Sequence, residues 1–175
     1  LFRDAGGHLG SFYLPLFFYK MAQNMDFWHA SFTDVQKGMI LISFYYLFQR
    51  LFSATANFAQ ARFTLKTGHE QAMLLGSAVK TLWLLSLTYI DKNPWFLILA
   101  TLLAGIENGF FWPSYRTLVC RLSFSKEMGK SLAGFRFLGN FLTMLVPALG
   151  GLVVSFLGYN YLFYVSILLI IISMI

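Results

Sequence analysis

The sequence predicts an all-α integral membrane protein with six transmembrane helices, and three observations support this. Of the 175 residues, 58% are hydrophobic and 11% are charged, whereas an ordinary soluble domain has about 25% charged residues. The apolar residues form long blocks, most of which reach the roughly 20 helical residues that span a hydrocarbon core. The blocks do not alternate in polarity as barrel strands do, so each should be a helix that satisfies its own backbone groups.

The six spans are expected, in order, at residues 3–23, 35–60, 71–90, 95–117, 129–156 and 159–175. Each span is defined by one apolar block: Leu9–Phe18, Met39–Ala61, Ala72–Ile90, Trp95–Tyr115, Leu132–Leu157 and Tyr159–Ile175. The joints between them carry turn residues or charge: NMDFWHASFTD, RFTLKTGHEQ, DKNP, CRLSFSKEMGK and GYN. Residues 1–175 therefore predict one six-helix bundle. Because the chain starts at Leu1 and stops within an apolar run, we expect it to be a fragment of a longer protein.

The distribution of basic residues predicts which side of the membrane each joint faces. The second and fourth joints, with the helix ends beside them, contain Arg62, Lys66, Arg116, Arg121, Lys126 and Lys130. The other joints, again with the helix ends beside them, contain Lys20, Lys37 and Lys92, offset by Asp26, Asp34 and Asp91. Cytoplasmic joints carry an excess of Lys and Arg. The second and fourth joints, and with them the N-terminus, are therefore expected in the cytoplasm, in a multi-pass protein of the cell membrane.

Polar side chains recur at helical spacings of three and four along the first, second, fourth and fifth spans. A polar stripe is costly against lipid, so these four spans should line a shared substrate cavity. The third and sixth spans should face lipid. Lys80 does not fit this expectation, because it is a charged residue within the third span. The candidate cavity residues are Asp4, His8, Tyr46, Arg50, Glu107, Asn108, Arg136 and Asn140.

Glu107 lies near the middle of the fourth span and is too short to reach the membrane surface, so it needs a cationic partner or a proton. Two interpretations stay open. A fixed ion pair with Arg50 or Arg136 would hold helices together. Alternatively, an arginine whose distance from Glu107 changes would alter how readily Glu107 binds a proton, which would make Glu107 the proton-coupling residue.

Other classes of protein find little support in the sequence. No nucleotide-binding loop, metal-ligand cluster or nucleophile–base pair is present, so we expect no enzyme, no cofactor and no metal site. The single Cys120 excludes an intramolecular disulfide. The basic residues that give the net charge of +6 lie mainly in short joints and in the helix ends beside them. Membrane topology explains them better than binding to nucleic acid does, and the expected surroundings are a lipid bilayer.

Three stretches resemble motifs of the major facilitator superfamily. ARFTLKTGHEQ resembles the cytoplasmic loop G-x-L-a-D-R-x-G-R-K, with Lys66 at the basic position and Gly68 at the central glycine. TLLAGIENGFFWPSY resembles the R-x-x-q-G pattern of the fourth helix, with Thr101 in place of the arginine. PALGG matches the end of the antiporter motif G-P-x-x-G-G, with Val146 in place of the first glycine.

The resemblance implies the N-terminal half of a twelve-helix secondary active transporter, which moves a small solute by alternating access. It implies a cytoplasmic gating loop that contains Lys66 and Gly68, and a C-terminal six-helix half as partner. A channel, receptor or scaffold without carrier activity is the alternative. Arg50, Lys80 and Arg136 are cationic and Glu107 is anionic, so the net charge of these four intramembrane residues is positive. A positive net charge favours an anionic substrate.

Overall fold

The computed structural model describes residues 2–23, 32–90, 93, 95–122 and 128–174, except for the side chains at 2, 4, 122, 128–133, 135, 136, 138 and 142. Every regular element in these ranges is an α-helix. The helices are α1 (Phe2–Phe12), α2 (Leu14–Gln23), α3 (Asp34–Thr67), α4 (His69–Thr88), α5 (Trp95–Leu122), α6 (Met128–Leu157) and α7 (Tyr159–Ile172). Five of the six expected spans correspond to one helix each, α3 to α7.

The first expected span, 3–23, is two helices rather than one, because the chain bends at Tyr13. Pro15 has no backbone N–H, and its ring would clash with the Ser11 carbonyl in a straight helix. The backbone ladder resumes where the Phe17 N–H donates to the Tyr13 carbonyl over 2.9 Å. The prediction of a single helix was therefore wrong, and the proline two residues after the bend explains the difference.

The Tyr13 side chain joins this bend to the fifth span. Its ring lies where a Cβ atom on Gly150 would be, and its hydroxyl donates to the Pro147 carbonyl on α6. The glycine pair Gly150–Gly151 thus gives an aromatic ring close access to the α6 backbone. The PALGG stretch is a packing surface between the first and fifth spans.

Two further joints, like the bend at Tyr13, are a single residue long, and in both that residue is a glycine. Gly68 connects α3 to α4 with φ +92°, and Gly158 connects α6 to α7 with φ +90°. With ψ at 167° and 174°, both adopt a conformation that is essentially confined to glycine. At its other end, α3 begins with a capping box between Thr33 and Gln36. Local sequence therefore fixes both ends of α3.

Small residues let α5 pack closely against α3. A Cβ atom at Gly109 would lie 2.6 Å from the Ala56 Cβ atom and 3.0 Å from the Ser53 carbonyl oxygen. Gly105 lies one turn earlier on α5 and faces Phe52 of α3 equally closely. This G-x-x-x-G face brings the two backbones together, as the sequence suggests. On its other side α5 packs along α4, while α1 packs against α7 and α6.

The exterior of the bundle is rich in large apolar side chains, including Phe58, Leu65, Met144 and Phe156. Among the described residues, two stretches are long and apolar enough to cross a membrane on length and composition alone, Trp95–Arg121 and Gly139–Leu157. The apolar helix Tyr159–Ile172 is shorter. The full set of six spans remains a prediction.

Candidate functional site

A cavity of about 190 Å³ is lined by residues of α1, α3, α4 and α5 and by Leu14 of α2. Its walls mix charged, polar and aromatic side chains. The lining residues are Arg3, Gly7, His8, Ser11, Leu14, Tyr45, Tyr46, Gln49, Lys80, Trp83, Ala104, Glu107, Asn108 and Trp112. Among the side chains that the structure describes on α6, none lines this cavity.

Glu107 lies in the cavity wall and is only 4% exposed. Its Oε1 atom accepts a hydrogen bond from Arg3 Nη2, and the Lys80 ammonium lies 3.5 Å from the same oxygen. A carboxylate buried at this depth requires such partners, because an unpaired charge is costly away from water. Arg3, Lys80 and Glu107 therefore form one ionic cluster that joins α1, α4 and α5.

Arg3 is held by more than its ion pair. Its Nε atom donates to Ser77 Oγ over 3.2 Å, and its guanidinium carbon lies 3.0 Å from the centroid of the Phe111 ring. The planar fork of an arginine suits this combination of carboxylate, hydroxyl and aromatic face. The residue is 7% exposed. Arg3 thus ties α1 to α4, through Ser77, and to α5, through Glu107 and Phe111.

The contribution of α4 corrects the expectation that the third span faces only lipid. Lys80 and Trp83 both line the cavity, and Ser77 bonds Arg3. Gly7 makes room for Lys80, since a Cβ atom there would lie 2.7 Å from Nζ. A lysine within a span is most stable beside a carboxylate, so the pairing with Glu107 turns this face of α4 inward.

Comparison with known families gives this arrangement a context. The family model described as Major Facilitator Superfamily matches residues 7–175, nearly the whole chain. The chain belongs to the Major Facilitator Superfamily. Neither the search of curated proteins nor that of solved structures gave a match.

As a member of this superfamily, the protein is a membrane transporter. Members of the superfamily carry small-molecule substrates. The matched range is compatible with the N-terminal half of such a transporter. The apolar exterior and the polar cavity between the first four spans suit such a protein.

The structure places four of the eight predicted cavity residues of this superfamily member on the cavity wall: His8, Tyr46, Glu107 and Asn108. The Asn108 amide donates to the Ala104 carbonyl over 2.9 Å, within its own helix. Their part in binding remains a prediction. Arg50 and Asn140 are exposed and do not line the cavity. The side chains of Asp4 and Arg136 lie outside the described residues.

The expected pairing of Glu107 with Arg50 therefore needs correction, while a pairing with Arg136 involves a side chain outside the described residues. Arg50 is exposed on α3, and Glu107 instead pairs with Arg3 and Lys80. Sequence reasoning missed Arg3 because it lies one position before Asp4, the first candidate cavity residue of the first span. A usable signal was present: Arg3, Gly7 and Gly10 recur at helical spacing, so the arginine shares a face with two residues that permit close packing.

The proposed gating-loop residues lie at the joint between α3 and α4. Lys66 is exposed in the last turn of α3, and Gly68 forms the turn. Within the described part of the chain, no group of three or more metal-binding side chains forms. The absence of a metal and a cofactor stays an expectation.

Proposed function

We propose that the chain forms the N-terminal six-helix half of a secondary active transporter in the cell membrane, with a cytoplasmic N-terminus. In this proposal the substrate is a small solute that binds between this half and a C-terminal six-helix half. The two halves then rock to give access from alternate sides. Lys66 and Gly68 belong to the cytoplasmic joint that moves with this rocking.

The observation that carries the proposal is the ionic cluster of Arg3, Lys80 and Glu107 on the wall of a polar cavity. Purely structural polar contacts in a membrane bundle are usually made by Ser, Thr or Asn. Ionisable residues inside a bundle, by contrast, mark substrate or ion pathways by default. Because the chain belongs to a transporter superfamily, we infer that the pathway is that of a carrier.

The charges of the cluster support an anionic substrate. Two cations and one carboxylate give the described cavity wall an excess of one positive charge. An anion entering the cavity would neutralise that excess, whereas a cation would increase it. Transport restricted to cationic compounds would contradict this preference.

Glu107 is the proposed proton-coupling residue, because it is the described carboxylate on the cavity wall. Rocking of the halves would change its distance from Lys80 or Arg3, and with it the ease of proton binding. The competing role is a permanent lock between helices. Arg3 makes three contacts, which favours a fixed ion pair between Arg3 and Glu107. The contact between Lys80 and Glu107 is longer, at 3.5 Å, which favours Lys80 as the partner that Glu107 can lose when the halves rock.

The full-length transporter in proteoliposomes tests the proposal. Labelled benzoate and lactate serve as probe anions, and uptake is followed with and without an imposed inward proton gradient. Beyond the passive uptake of the neutral acids by protein-free liposomes, a coupled carrier adds accumulation of one of the anions with the gradient, and it shows counterflow without the gradient. Equilibration without accumulation or counterflow would indicate a channel and would contradict the proposal.

A further inference from the structure

Tyr45 lies on the cavity wall and makes an unusual hydrogen bond there. Its hydroxyl oxygen is 2.9 Å from the Trp83 Nε1 atom, and both residues are buried, with Tyr45 only 2% exposed. An indole N–H can only donate, so the Tyr45 oxygen must be the acceptor. The hydroxyl proton of Tyr45 is therefore available for a second partner.

No acceptor for that proton is present among the residues that the structure describes. The hydroxyl bonds Trp83 alone, although Glu107 lies on the same cavity wall. The Tyr45 ring is held between Phe18 and Tyr46, at centroid distances of 4.9 and 5.4 Å, so it is not free to turn away. A buried donor without an acceptor is costly, and the cost is relieved when an acceptor enters the cavity.

Lys80 provides a second donor on the wall of the same cavity. It precedes Trp83 by one helical turn on α4, and its Nζ lies 6.0 Å from the centroid of the Trp83 ring. Trp83 and Trp112 add aromatic surface to the same cavity. A cation, a hydroxyl donor and aromatic walls together fit a small aromatic carboxylate: its oxygens accept hydrogen bonds, and its ring packs against the aromatic side chains.

We propose that Tyr45 and Lys80 both donate to the carboxylate of a small aromatic acid, and that Trp83 is a positioning residue that orients the Tyr45 hydroxyl. This inference rests on the proposed transport function and names its substrate class. It assigns binding to two residues, Tyr45 and Lys80, that the polar stripes of the sequence do not include.

The test measures half-saturation concentrations for benzoate counterflow by the full-length transporter in proteoliposomes, normalised to folded protein. Tyr45→Phe removes only the hydroxyl. A lost hydrogen bond to a charged group corresponds to about a tenfold or greater rise in that concentration. Lys80→Gln should raise it at least as much. Tyr164→Phe is the matched control, because Tyr164 is an exposed tyrosine on α7 outside the cavity, and it should leave the concentration unchanged.

A double variant separates positioning from general destabilisation. Trp83→Phe leaves the Tyr45 hydroxyl without its donor, so it should raise the half-saturation concentration. In the Tyr45→Phe background the same change should then add little, because its effect passes through the hydroxyl. Independent, additive effects of the two changes would overturn the role assigned to Trp83.

The outcomes distinguish this inference from the proposed function. If the wild-type protein transports benzoate and Tyr45→Phe leaves its half-saturation concentration unchanged, the inference fails while the transporter proposal stands. If lactate is transported and benzoate is not, the aromatic class is wrong. If neither anion shows counterflow, or uptake beyond that of protein-free liposomes, the proposed function fails and the inference fails with it.

Discussion

The central residue of the site, Glu107, is buried between two cations that come from different helices. Arg3 is supplied by α1 and Lys80 by α4, while Glu107 belongs to α5. Burying ions costs several kcal/mol each, and mutual attraction offsets this cost only when the geometry is good. The further bonds of Arg3 to Ser77 and to the Phe111 face contribute to that offset. The cluster therefore depends on all of its members.

Removing Arg3 alone should destabilise the bundle, because it leaves Glu107 with Lys80 as its remaining described counter-charge. Breaking a buried pair from one side costs about 3–5 kcal/mol. We expect Arg3→Met to lower the free energy of unfolding in mixed micelles by about this amount. In the double variant Arg3→Met/Glu107→Gln the loss should be smaller than the sum of the single losses by about 0.5–3 kcal/mol.

Arg62→Met serves as the control for that experiment, because Arg62 is exposed on α3. Its effect should be small and additive with Glu107→Gln. Simple additivity of Arg3→Met and Glu107→Gln would mean that the two side chains do not interact in the folded protein.

The interior position of Glu107 could be predicted from sequence, because a short acidic side chain at mid-span has no access to water. Its partners could not. Arg3 is 104 positions away in the chain, and nothing local shows which of several arginines meets the carboxylate. The rotation of α4 that brings Lys80 inward depends on packing between helices, which a pattern on one helix does not specify.

At the scale of helices, close packing of α5 on α3 depends on glycine. At Gly109 a Cβ atom would meet the Ala56 Cβ atom at 2.6 Å and a backbone oxygen at 3.0 Å, and neither can move aside cheaply. Gly109→Ala should therefore separate the helices and lower the free energy of unfolding by about 1–3 kcal/mol.

Gly139→Ala on α6 is the matched control, because a Cβ atom there has no described neighbour within 4 Å. Alanine is the better helix former by roughly 1 kcal/mol, so this variant should be neutral or stabilising. Comparable melting temperatures for the two alanine variants would contradict the packing role of Gly109.

The positions of the helices follow from sequence more closely than their ends do. The expected second span ended at residue 60, whereas α3 continues to Thr67, and α5 continues to Leu122 rather than 117. A hydropathy pattern ends where lipid ends, but a helix continues into water until a residue such as Gly68 stops it. The bend at Tyr13 was legible in Pro15, and it was missed because the apolar block runs through it.

At the scale of the whole molecule, the topology prediction can be tested with the single cysteine of this chain. Cys120 is exposed near the end of α5, beside Arg116 and Arg121, where the positive-inside rule predicts the cytoplasm. A membrane-impermeant maleimide should label Cys120 in inside-out vesicles and leave it unlabelled in intact cells. Any cysteines outside residues 1–175 are first replaced by serine.

Asn93→Cys in a Cys120→Ser background provides the opposite control, because Asn93 is exposed in the joint between α4 and α5. It should be labelled in intact cells. Labelling of Cys120 from outside would reverse the proposed orientation of the bundle.

The most direct test of the account concerns Glu107 as the coupling residue. Glu107→Gln keeps the shape and hydrogen-bonding capacity of the side chain but cannot bind and release a proton at physiological pH. With transport of the probe anion normalised to folded full-length protein, proton-driven accumulation should disappear, while counterflow without a gradient survives. If Glu107→Gln instead lowers the folded yield and leaves accumulation per folded molecule intact, Glu107 is a structural lock, and the coupling proposal is wrong.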